Sequence, residues 1–493
     1  MVKVAFVTPE LQLLVRRTNL ASVSQDLASS LSQVGAEVRV FLPRSKSVDL
    51  TSLRDVERAA SVEVPDIHGK TRINVIGGLL GNLRVYLFEH DALFGNRHPY
   101  GDENGPYMDN WRRYALFSRA VLEVQQLLGF EPDVFHCMDW TTGLLPLIHR
   151  LEYLENPNCE NAVLKRAGTF FSINNLAMQG AFEREILPRI GIPHEYFRHV
   201  NGVELAGKVN FLKAGAEFAT VVGTHSPNHA ARIQERDRGY GLEETFASRK
   251  KELVGIHNGI DYRSWNPATD PLLSHNFSSK EEDPAGKRRC KAALQEGLQI
   301  DVGPRTLVCS HIGRWDADSG FDLLAEVLSS VLERNVEAVI MGAGGEEVTK
   351  RLRTLEGTFM GRIRVIEGYD AAAAHRVMAG SDVLFMPSHY QPSNSLFAVA
   401  LRYGVVPLIY SSGGLEDTLP DVSKGDDGLA VHFSPYSGDG LLDGVLRAAD
   451  AFKDANAWKK LVQRCMAQDF SWERAAGDYV KAYRRVTRRI RGR

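Results

Sequence analysis

Two segments of the 493-residue chain carry residue types that suit a diphosphate ligand. In the loop Ser411–Thr418 (SSGGLEDT), Gly413 and Gly414 let backbone N–H groups approach a ligand closely, and the helix that follows favours negative charge at its start. Arg314 follows the strand that opens the second half of the chain, and its guanidinium suits bidentate phosphate binding. A plain structural turn and a surface salt bridge are the alternative interpretations of these two segments.

Other catalytic motifs are absent from the sequence. It contains no Walker A loop, G-x-S-x-G elbow, H-E-x-x-H helix or G-x-G-x-x-G turn, which argues against an NTPase, an α/β-hydrolase, a zinc protease and a dinucleotide enzyme. The five cysteines are odd in number and share no CxxC spacing. We interpret them as ordinary reduced thiols rather than as a metal site or a disulfide framework.

The elements that must position these residues repeat in both halves of the chain. In the first half, a strand over Val2–Thr8 precedes a helix over Ala21–Val34 and a strand over Glu37–Leu42. The second half opens with a strand over Arg305–Ile312 and a helix over Phe321–Arg334. Such strand–helix–strand units form parallel sheets with right-handed crossovers. The pattern predicts an α/β protein of two doubly wound domains, with a ligand cleft between the carboxyl ends of their strands.

The remaining segments complete this organisation. Apolar runs predict further strands over Ala338–Met341, Ile363–Ile366, Val383–Met386 and Val406–Ile409, with loops over Gly313–Gly320 and Gly342–Gly345. Trp265–Gly286 is rich in Pro, Asn, Ser and charge, and is expected to be irregular surface or linker rather than a packed element. We place the domain boundary just before it, near Gly255.

Composition and charge exclude several classes of partner. Lys and Arg total 59 against 61 Asp and Glu, so a net charge of −2 gives no general attraction to nucleic acid or to an anionic membrane. The first residues (MVKVAFVTPE) predict a strand and lack the apolar run of a signal peptide, so a cytoplasmic location is expected. The last ten residues contain six arginines, which favours the solvated end of a terminal helix over a docking tail.

Several segments together resemble one family, the bacterial glycogen synthases and plant starch synthases of glycosyltransferase family 5. The matching stretches span Val4 to Arg485 in family order and include HCMDWTTGLLP, NNLAMQGAF, VGIHNGIDYRSWNPATD, LRYGVVPLIYSSGGLEDT and AQDFSWERAA. The resemblance implies a GT-B fold of two Rossmann-like domains facing a deep cleft. We expect an N-terminal, acceptor-side domain over residues 1–255, joined by a C-terminal helix over 474–493, and a nucleotide-sugar domain over 256–473.

The resemblance also implies a reaction and a set of site residues. The family transfers glucose from a nucleotide sugar, usually ADP-glucose, to the non-reducing end of an α-1,4-glucan, with retention of configuration and without a metal or other cofactor. Cationic side chains and backbone N–H groups stabilise the departing diphosphate. Matching positions are Arg314 and Ser412-Gly413-Gly414 for the diphosphate, Tyr369 for the nucleobase, Asp139 for the sugar site, and Asn175 with Gln179-Gly180 beside it.

The sequence departs from the family at the first donor loop. The family signature Lys-Thr-Gly-Gly-Leu reads Arg16-Arg17-Thr18-Asn19-Leu20 here. Arg16 keeps a positive charge, but as a planar fork rather than a point charge. Because both glycines are replaced where close approach or positive φ is needed, we expect an altered loop, with Thr18 the harder change to accommodate.

The second donor signature, Arg-x-x-x-Gln-Lys-Gly, has also changed. Arg314 is kept, but Ser319 stands in place of the phosphate lysine, and Asp318 adds a carboxylate beside it. Losing a charge-assisted contact costs about 1.5–3 kcal/mol, which corresponds to roughly ten- to a hundredfold in rate if it is felt fully in the transition state.

The sugar site differs at four positions. Asn174 and Gln391 replace a histidine and a glutamate, and Met138 and Thr141 replace two further histidines. The family mechanism uses the backbone carbonyl of the first histidine, and Asn174 still has that carbonyl. Gln391 can hydrogen-bond a sugar hydroxyl but lacks the carboxylate charge.

Two functions follow from these comparisons with the family pattern. In the favoured one, the protein binds glucan or nucleotide with weak, altered or lost transfer, in a binding or regulatory role that could include partnership with an active synthase. In the alternative, it is a working α-glucan synthase that uses ADP-glucose or another sugar nucleotide, with Arg16, Arg314 and the glycine loop on the diphosphate. A phosphorylase-like enzyme has no support in the sequence.

Overall fold

Short, almost wholly apolar strands such as Lys3–Val7 and Gly168–Ile173 are typical of parallel sheets that are buried on both faces. In this computed structural model, the described residues are 1–67, 69–281, 285–301, 303–389, 395–411, 415–416 and 418–492. The chain divides into two units, one of Met1–Gly259 with Trp472–Arg493 and one of Ile260–Ser471.

The first unit contains a mixed sheet, smaller strand pairs and surrounding helices. Its strands are β1 (Lys3–Val7), β2 (Glu37–Pro43), β3 (Arg54–Asp66), β4 (Gly69–Leu80), β5 (Leu83–Glu89), β6 (Gly101–Asp102), β7 (Gly105–Pro106), β8 (Val134–Met138), β9 (Gly168–Ile173), β10 (Ala181–Phe182), β11 (Glu204–Leu205), β12 (Lys208–Asn210), β13 (Val221–Thr224) and β14 (Leu253–Gly255). Its helices before residue 259 are α1 (Leu20–Gln33), α2 (Asn110–Leu127), α3 (Leu144–His149), α4 (Ala162–Arg166), α5 (Ile186–Arg189), α6 (Phe211–Phe218), α7 (Pro227–Arg232) and α8 (Glu243–Ser248).

The main sheet of this unit has the order β14-β13-β9-β8-β1-β2-β5-β4-β3. β1 pairs in parallel with both β2 and β8, with Val4 opposite Val38 and Val134. The chain therefore leaves β1 toward one side of the sheet and returns on the other, and such a switch point opens a crevice at the carboxyl edge of the strands. The residues that follow β1 and β8 lie at this edge.

The second unit is a parallel α/β layer structure. Its strands are β15 (Leu307–Trp315), β16 (Val336–Gly344), β17 (Ile363–Glu367), β18 (Val383–Met386), β19 (Val406–Tyr410) and β20 (Val431–Phe433). Its helices are α9 (Ala285–Leu298), α10 (Phe321–Leu332), α11 (Glu346–Thr358), α12 (Ala371–Gly380), α13 (Leu396–Arg402), α14 (Gly438–Lys453) and α15 (Ala455–Ala467). The sheet order is β17-β16-β15-β18-β19-β20, so its switch point lies between β15 and β18.

The strands β15 and β16 are longer than the apolar pattern predicts. The expected loops at Gly313–Gly320 and Gly342–Gly345 begin too early, because β15 continues through Trp315 and β16 through Gly344. Gly313 pairs with Gly342, and a Cβ on Gly342 would lie 1.7 Å from the carbonyl oxygen of Gly313. Glycine at this position therefore lets the two backbones stay paired beyond the apolar run.

The segment Trp265–Gly286 is packed, contrary to the expectation of a surface linker. No strand or helix occurs over its described residues up to 281, but Phe277 is buried in the core of the second unit. The carboxylate of Asp270 accepts hydrogen bonds from the hydroxyl of Tyr403 and from His375. Its polar composition prevents regular structure, while a buried carboxylate and an aromatic ring hold it against the core.

The last helix, α16 (Trp472–Arg491), belongs to the first unit and packs against α1 and the sheet. The hydroxyl of Tyr483 lies 2.6 Å from Nδ1 of His136 on β8, whose Nε2 contacts the Ser172 hydroxyl at 2.7 Å. Burial lowers the pKa of His136 to about 3, so the ring stays neutral in this contact. This helix therefore covers β8 and β9 of the first sheet.

The unit boundary lies at Gly259, beyond Gly255, because β14 and the buried Ile256 still belong to the first core. At the other end of α16, the guanidinium of Arg489 forms an ion pair with Glu252 at 2.6 Å. In the part of the chain that the structure describes, no helix is long and apolar enough to cross a membrane.

Candidate functional site

The switch point of the first sheet carries a buried carboxylate, Asp139, directly after β8. Its backbone has φ +57°, an uncommon conformation for a residue other than glycine. This conformation is held by the backbone N–H of Asp139, which donates to the carbonyl of Ser172 at 2.9 Å. Its Oδ1 accepts from the backbone N–H groups of Asn174 at 2.7 Å and Asn175 at 3.2 Å. The aspartate therefore fixes the loop after β9 through main-chain contacts.

Burial is the main influence on the ionisation of Asp139. Only 6% of the residue is exposed, and desolvation raises its pKa to about 7. The two N–H donors of Asn174 and Asn175 act against this shift, whereas the nearby carboxylate of Glu10 adds to it. Asp139 therefore changes charge close to neutral pH.

Glu10, directly after β1, organises the loop that replaces the family's first donor signature. Its carboxylate accepts hydrogen bonds from the backbone N–H of Arg17 at 2.5 Å and of Thr18 at 2.9 Å. It also accepts from the hydroxyls of Thr18 at 2.8 Å and Tyr100 at 2.5 Å. The buried anion is thus compensated by four donors, two from the backbone and two from hydroxyls.

The substituted loop is accommodated without backbone strain, so the expected difficulty at Thr18 is wrong. Thr18 is not among the residues with positive φ, and Asn19 has φ −63°. The Thr18 hydroxyl accepts from the backbone N–H of Leu20 at 3.2 Å while it donates to Glu10. The side chain that replaces the glycine therefore joins the loop to the start of α1.

The cations of this loop remain accessible. Arg16 and Arg17 are both exposed. His98 has its pKa lowered by burial and by the positive charges of Arg17 and Lys46, so these two cations lie near the same ring. Sequence reasoning did not select Lys46 or His98, because both are distant from this loop along the chain. It did not select Glu10, because nothing in the local sequence indicates that its carboxylate bonds the loop.

Around Asp139, two of the expected sugar-site residues are held in place by their neighbours. The amide of Gln179 donates to the carbonyls of Leu176 and Tyr240 and accepts from Asn210 at 2.7 Å. Gly180 has φ +63°, and a Cβ there would lie 2.2 Å from the indole of Trp140.

Asn174 and Asn175, which lie earlier in the same loop, differ in what their side chains contact. The Asn175 side chain accepts from the backbone N–H of Ala177 at 3.0 Å. Asn174 contributes a buried amide oxygen without a hydrogen-bond partner among the described residues. That oxygen is a polar group which a bound sugar hydroxyl could satisfy.

Two of the substituted histidine positions lie inside the first unit. Met138 is 1% exposed and packs in the core beneath α16. Thr141 is also 1% exposed, and its hydroxyl has no hydrogen-bond partner within the described ranges. Met138 therefore changes the core rather than the surface of the site.

At the switch point of the second sheet, Arg314 near the end of β15 is held by two carboxylates. Its Nε lies 3.1 Å from Asp316, and its Nη2 lies 3.6 Å from Asp318. The arginine side chain is 70% exposed and that of Asp318 is 89% exposed. The guanidinium is thus accessible to a ligand, but its charge is more than balanced by its neighbours.

Ser319 is engaged by its own loop. Its hydroxyl lies 2.7 Å from the carbonyl of Arg314 and 2.7 Å from that of Asp316. Its backbone N–H donates to the Asp316 carboxylate at 3.0 Å. Gly320 follows with φ +72°, and a Cβ there would lie 2.3 Å from the carbonyl oxygen of Pro387. The loop is closely packed on the segment after β18 and has no cation at the family's lysine position.

Of the other residues expected at the donor site, the structure describes Tyr369. Tyr369 is 67% exposed and lies in the turn between β17 and α12, at the same carboxyl edge as Arg314. An exposed ring at this edge suits stacking on a planar base. Gln391 and Ser412-Gly413-Gly414 lie outside the described residues. Within the described ranges, no group of three or more His, Cys, Asp and Glu side chains could hold a metal ion.

Comparisons with known proteins agree with this arrangement of two α/β units. The family model described as "Starch synthase catalytic domain" matches residues 3–248. Glycogen synthase of Geotalea uraniireducens is 36% identical over 98% of both chains, and that of Koribacter versatilis is 35% identical over the same shares.

A solved structure leads to the same family. The catalytic domain of starch synthase IV from Arabidopsis thaliana, bound to ADP and acarbose, has a TM-score of 0.82 at 26% identity and covers 99% of both chains. This chain therefore has the two-domain GT-B fold and belongs to the glycogen synthase and starch synthase family, glycosyltransferase family 5.

Proposed function

We propose that this glycogen-synthase-like protein binds α-glucan and a nucleotide sugar but performs the family reaction weakly or in altered form. That reaction is the retaining transfer of glucose from ADP-glucose to the non-reducing end of an α-1,4-glucan. The observation that carries the proposal is at the carboxyl end of β15, where Arg314 lies between the carboxylates of Asp316 and Asp318. In this role the protein binds glucan or regulates an active synthase.

The electrostatics of this loop explain why transfer is expected to be weak. Departure of a diphosphate requires positive charge where negative charge develops, and Arg314 is the one cation of residues 313–320, against two aspartates. The Ser319 hydroxyl is already directed at carbonyls of its own loop. A phosphate must therefore compete with Asp316 and Asp318 for the guanidinium.

The substrate classes follow from the family and from the two half-sites. The Arabidopsis relative binds ADP and acarbose, a nucleotide and a sugar analogue. We assign the acceptor side to the first unit, with Asn174, Asn175, Gln179 and Gly180 around Asp139. The nucleotide side is the second unit, where Tyr369 stacks on the base and Arg314 contacts the diphosphate. In this proposal, cationic side chains and backbone N–H groups, rather than a metal ion, stabilise the departing diphosphate.

An active synthase is the second candidate, and two observations favour it. Relatives called glycogen synthase are 36% identical over 98% of this chain. In the first unit, Arg17 and Lys46 lie near the ring of His98, and Arg16 is exposed, so cations are available there for a sugar nucleotide. A donor other than ADP-glucose belongs to this candidate.

The test is the transfer of radiolabelled glucose from ADP-glucose, and separately from UDP-glucose, to a glycogen primer. We expect glycogen to bind the protein in a co-sedimentation assay while transfer stays far below that of the Geotalea uraniireducens enzyme measured beside it. Turnover equal to that enzyme, lost in Arg314→Ala, would overturn the proposal and establish the second candidate.

A gain-of-function variant tests the physical cause. Asp318→Gln with Ser319→Lys restores the family's pattern and is expected to raise transfer about ten- to a hundredfold, because a cation replaces an anion at the diphosphate. The pair Asp450→Gln with Ser52→Lys, at two exposed positions outside the donor loop, makes the same change in net charge as a control. Equal rates in the wild type and the donor-loop variant would show that this loop does not limit the reaction.

A further inference from the structure

The second unit contains a cavity at the edge of its sheet opposite to the edge that carries Arg314. It has a volume of about 420 Å³ and is lined by α9, α15 and the segments just before β15 and β18. Pro304 precedes β15, and Asp382 precedes β18, so the cavity is at the amino edge of the strands. Arg314 lies at the carboxyl end of β15, and Tyr369 follows that of β17. The nine residues of β15, at about 3.3 Å each, separate this edge from the cavity.

Cationic side chains outnumber anionic ones in the lining of this cavity. Lys287, Arg288, Lys291 and Lys459 line it, against one carboxylate from Asp382. Lys291 is paired with that carboxylate at 2.6 Å, so the single anion is already engaged. Since Lys291 balances this carboxylate and Lys287 donates to backbone carbonyls, Lys459 is a cation that the cavity leaves for a ligand.

Two of these cations lie at the N-terminus of α9. Lys287 and Arg288 lie in the first turn of this 14-residue helix, which contains no acidic residue in that turn. The N-terminus of a helix carries partial positive charge, so cations there are disfavoured and an anion is stabilised. Lys287 is buried and donates to the carbonyls of Ser381 and Tyr403.

The rest of the lining is apolar and aromatic. Phe452 and Trp458 pack edge to face with ring centroids 5.2 Å apart, beside Ala455 and Val462. Trp458 is 6% exposed, and its indole N–H has no hydrogen-bond acceptor among the described residues. An unpaired buried donor beside apolar walls is a feature that a ligand acceptor could satisfy.

We infer that this cavity binds a small anion attached to a planar or apolar body, at a site separate from the diphosphate site. Its anionic group contacts Lys459, and its body packs on Phe452 and Trp458. Lys459 is half-buried and forms no hydrogen bond or ion pair with any described residue, which leaves its ammonium available. The anion is a phosphate ester or a carboxylate, since the same cations recognise both.

The test uses 1-naphthyl phosphate and 1-naphthoate as probes of the full-length protein, with neutral 1-naphthalenemethanol and inorganic phosphate beside them. Calorimetry in the presence of saturating ADP keeps the probes out of the nucleotide site. We expect one or both naphthyl anions to bind and the alcohol to bind at least about tenfold more weakly. The stronger of the two anions identifies phosphate or carboxylate as the natural group.

Two variants locate the binding. Lys459→Gln is expected to weaken the anion about five- to tenfold, whereas Lys460→Gln, its exposed neighbour on α15, should bind as the wild type does. The indole ¹H–¹⁵N signal that disappears in Trp458→Phe should shift on titration in the wild type. Failure of both anions to bind, equal affinity for the alcohol, or an unchanged affinity in Lys459→Gln would overturn the inference.

Discussion

After β1, the loop that replaces the family's first donor signature is tied down by one buried carboxylate, which accepts bonds from two backbone N–H groups and two hydroxyls. After β15, the corresponding loop of the second unit also holds a substituted signature, but its new carboxylate at Asp318 is exposed beside Arg314. In the first loop, Thr18 gains partners inside the protein. In the second, Asp318 engages the cation that a ligand needs. The substituted residue is therefore accommodated inside the first loop, whereas the second loop places a carboxylate beside a cation of the donor site.

The largest effect is expected where the first region depends on close packing. Gly180→Ala would bring a Cβ to 2.2 Å from the Trp140 ring at a φ of +63°. Overpacking and backbone strain should together lower the free energy of unfolding by about 3 kcal/mol or more, as measured by urea denaturation.

Gly477→Ala is the matched control for this change. No atom lies within 4 Å of a Cβ at this position in α16, and alanine there should stabilise the helix by up to about 1 kcal/mol. Equal effects of the two substitutions would contradict the rigid arrangement of the sugar-site loop.

A pH series tests the buried carboxylate of the same region. Because burial raises the pKa of Asp139 from 3.8 to about 7, the folded protein keeps a proton that the unfolded chain has released in this range. Its contribution to stability is complete below about pH 4 and is lost as the pH rises toward 7, by about 1 kcal/mol per pH unit. Asp139→Asn should remove this slope in urea denaturation from about pH 4 to 8.

The exposed Asp102 offers a comparison, since its carboxylate accepts a backbone N–H at 2.9 Å but lies in a surface turn. Asp102→Asn should keep the wild-type slope. If Asp139→Asn keeps it as well, the aspartate does not hold a proton at neutral pH, and the first region is less desolvated than its burial indicates.

The contrast between the two loops also shows what the sequence could predict. The alternation of apolar strands and amphipathic helices is sufficient for two Rossmann-like domains, and the ends of β8 and β15 place Asp139 and Arg314 at carboxyl edges. That a linker-like segment is packed depends on Asp270 meeting His375 and Tyr403, more than 100 residues away. Local composition carries no signal for such a contact.

The role of Glu10 could not be predicted from the local sequence either. Its partners are backbone N–H groups seven and eight residues along and a hydroxyl 90 residues away, so the residue type alone does not reveal its environment. The expected strain at Thr18 was wrong because it assumed the backbone conformation of a glycine. In this chain Thr18 has no positive φ, and its hydroxyl is hydrogen-bonded to Glu10 and to the backbone N–H of Leu20.

The exposed aromatic ring of the second region should have a moderate effect on ligand binding. Tyr369→Ala is expected to weaken ADP binding about five- to tenfold in calorimetry, because the stacked face is lost. Tyr369→Phe keeps that face and should bind as the wild type does. An alanine variant with unchanged affinity would move the nucleobase away from the turn between β17 and α12.

The smallest effect is expected from Asp318→Asn, which removes one of the two carboxylates from Arg314. The side chains are 3.6 Å apart but 70% and 89% exposed, so water and salt screen most of the interaction. ADP affinity should rise about threefold at low ionic strength, and the gain should fade as salt is added. Asp450→Asn, which breaks an exposed ion pair with Lys453 on α14, should leave ADP affinity unchanged. A gain shared by both variants would reflect net charge alone, whereas a gain confined to Asp318→Asn would mean that the carboxylate competes with the diphosphate for Arg314.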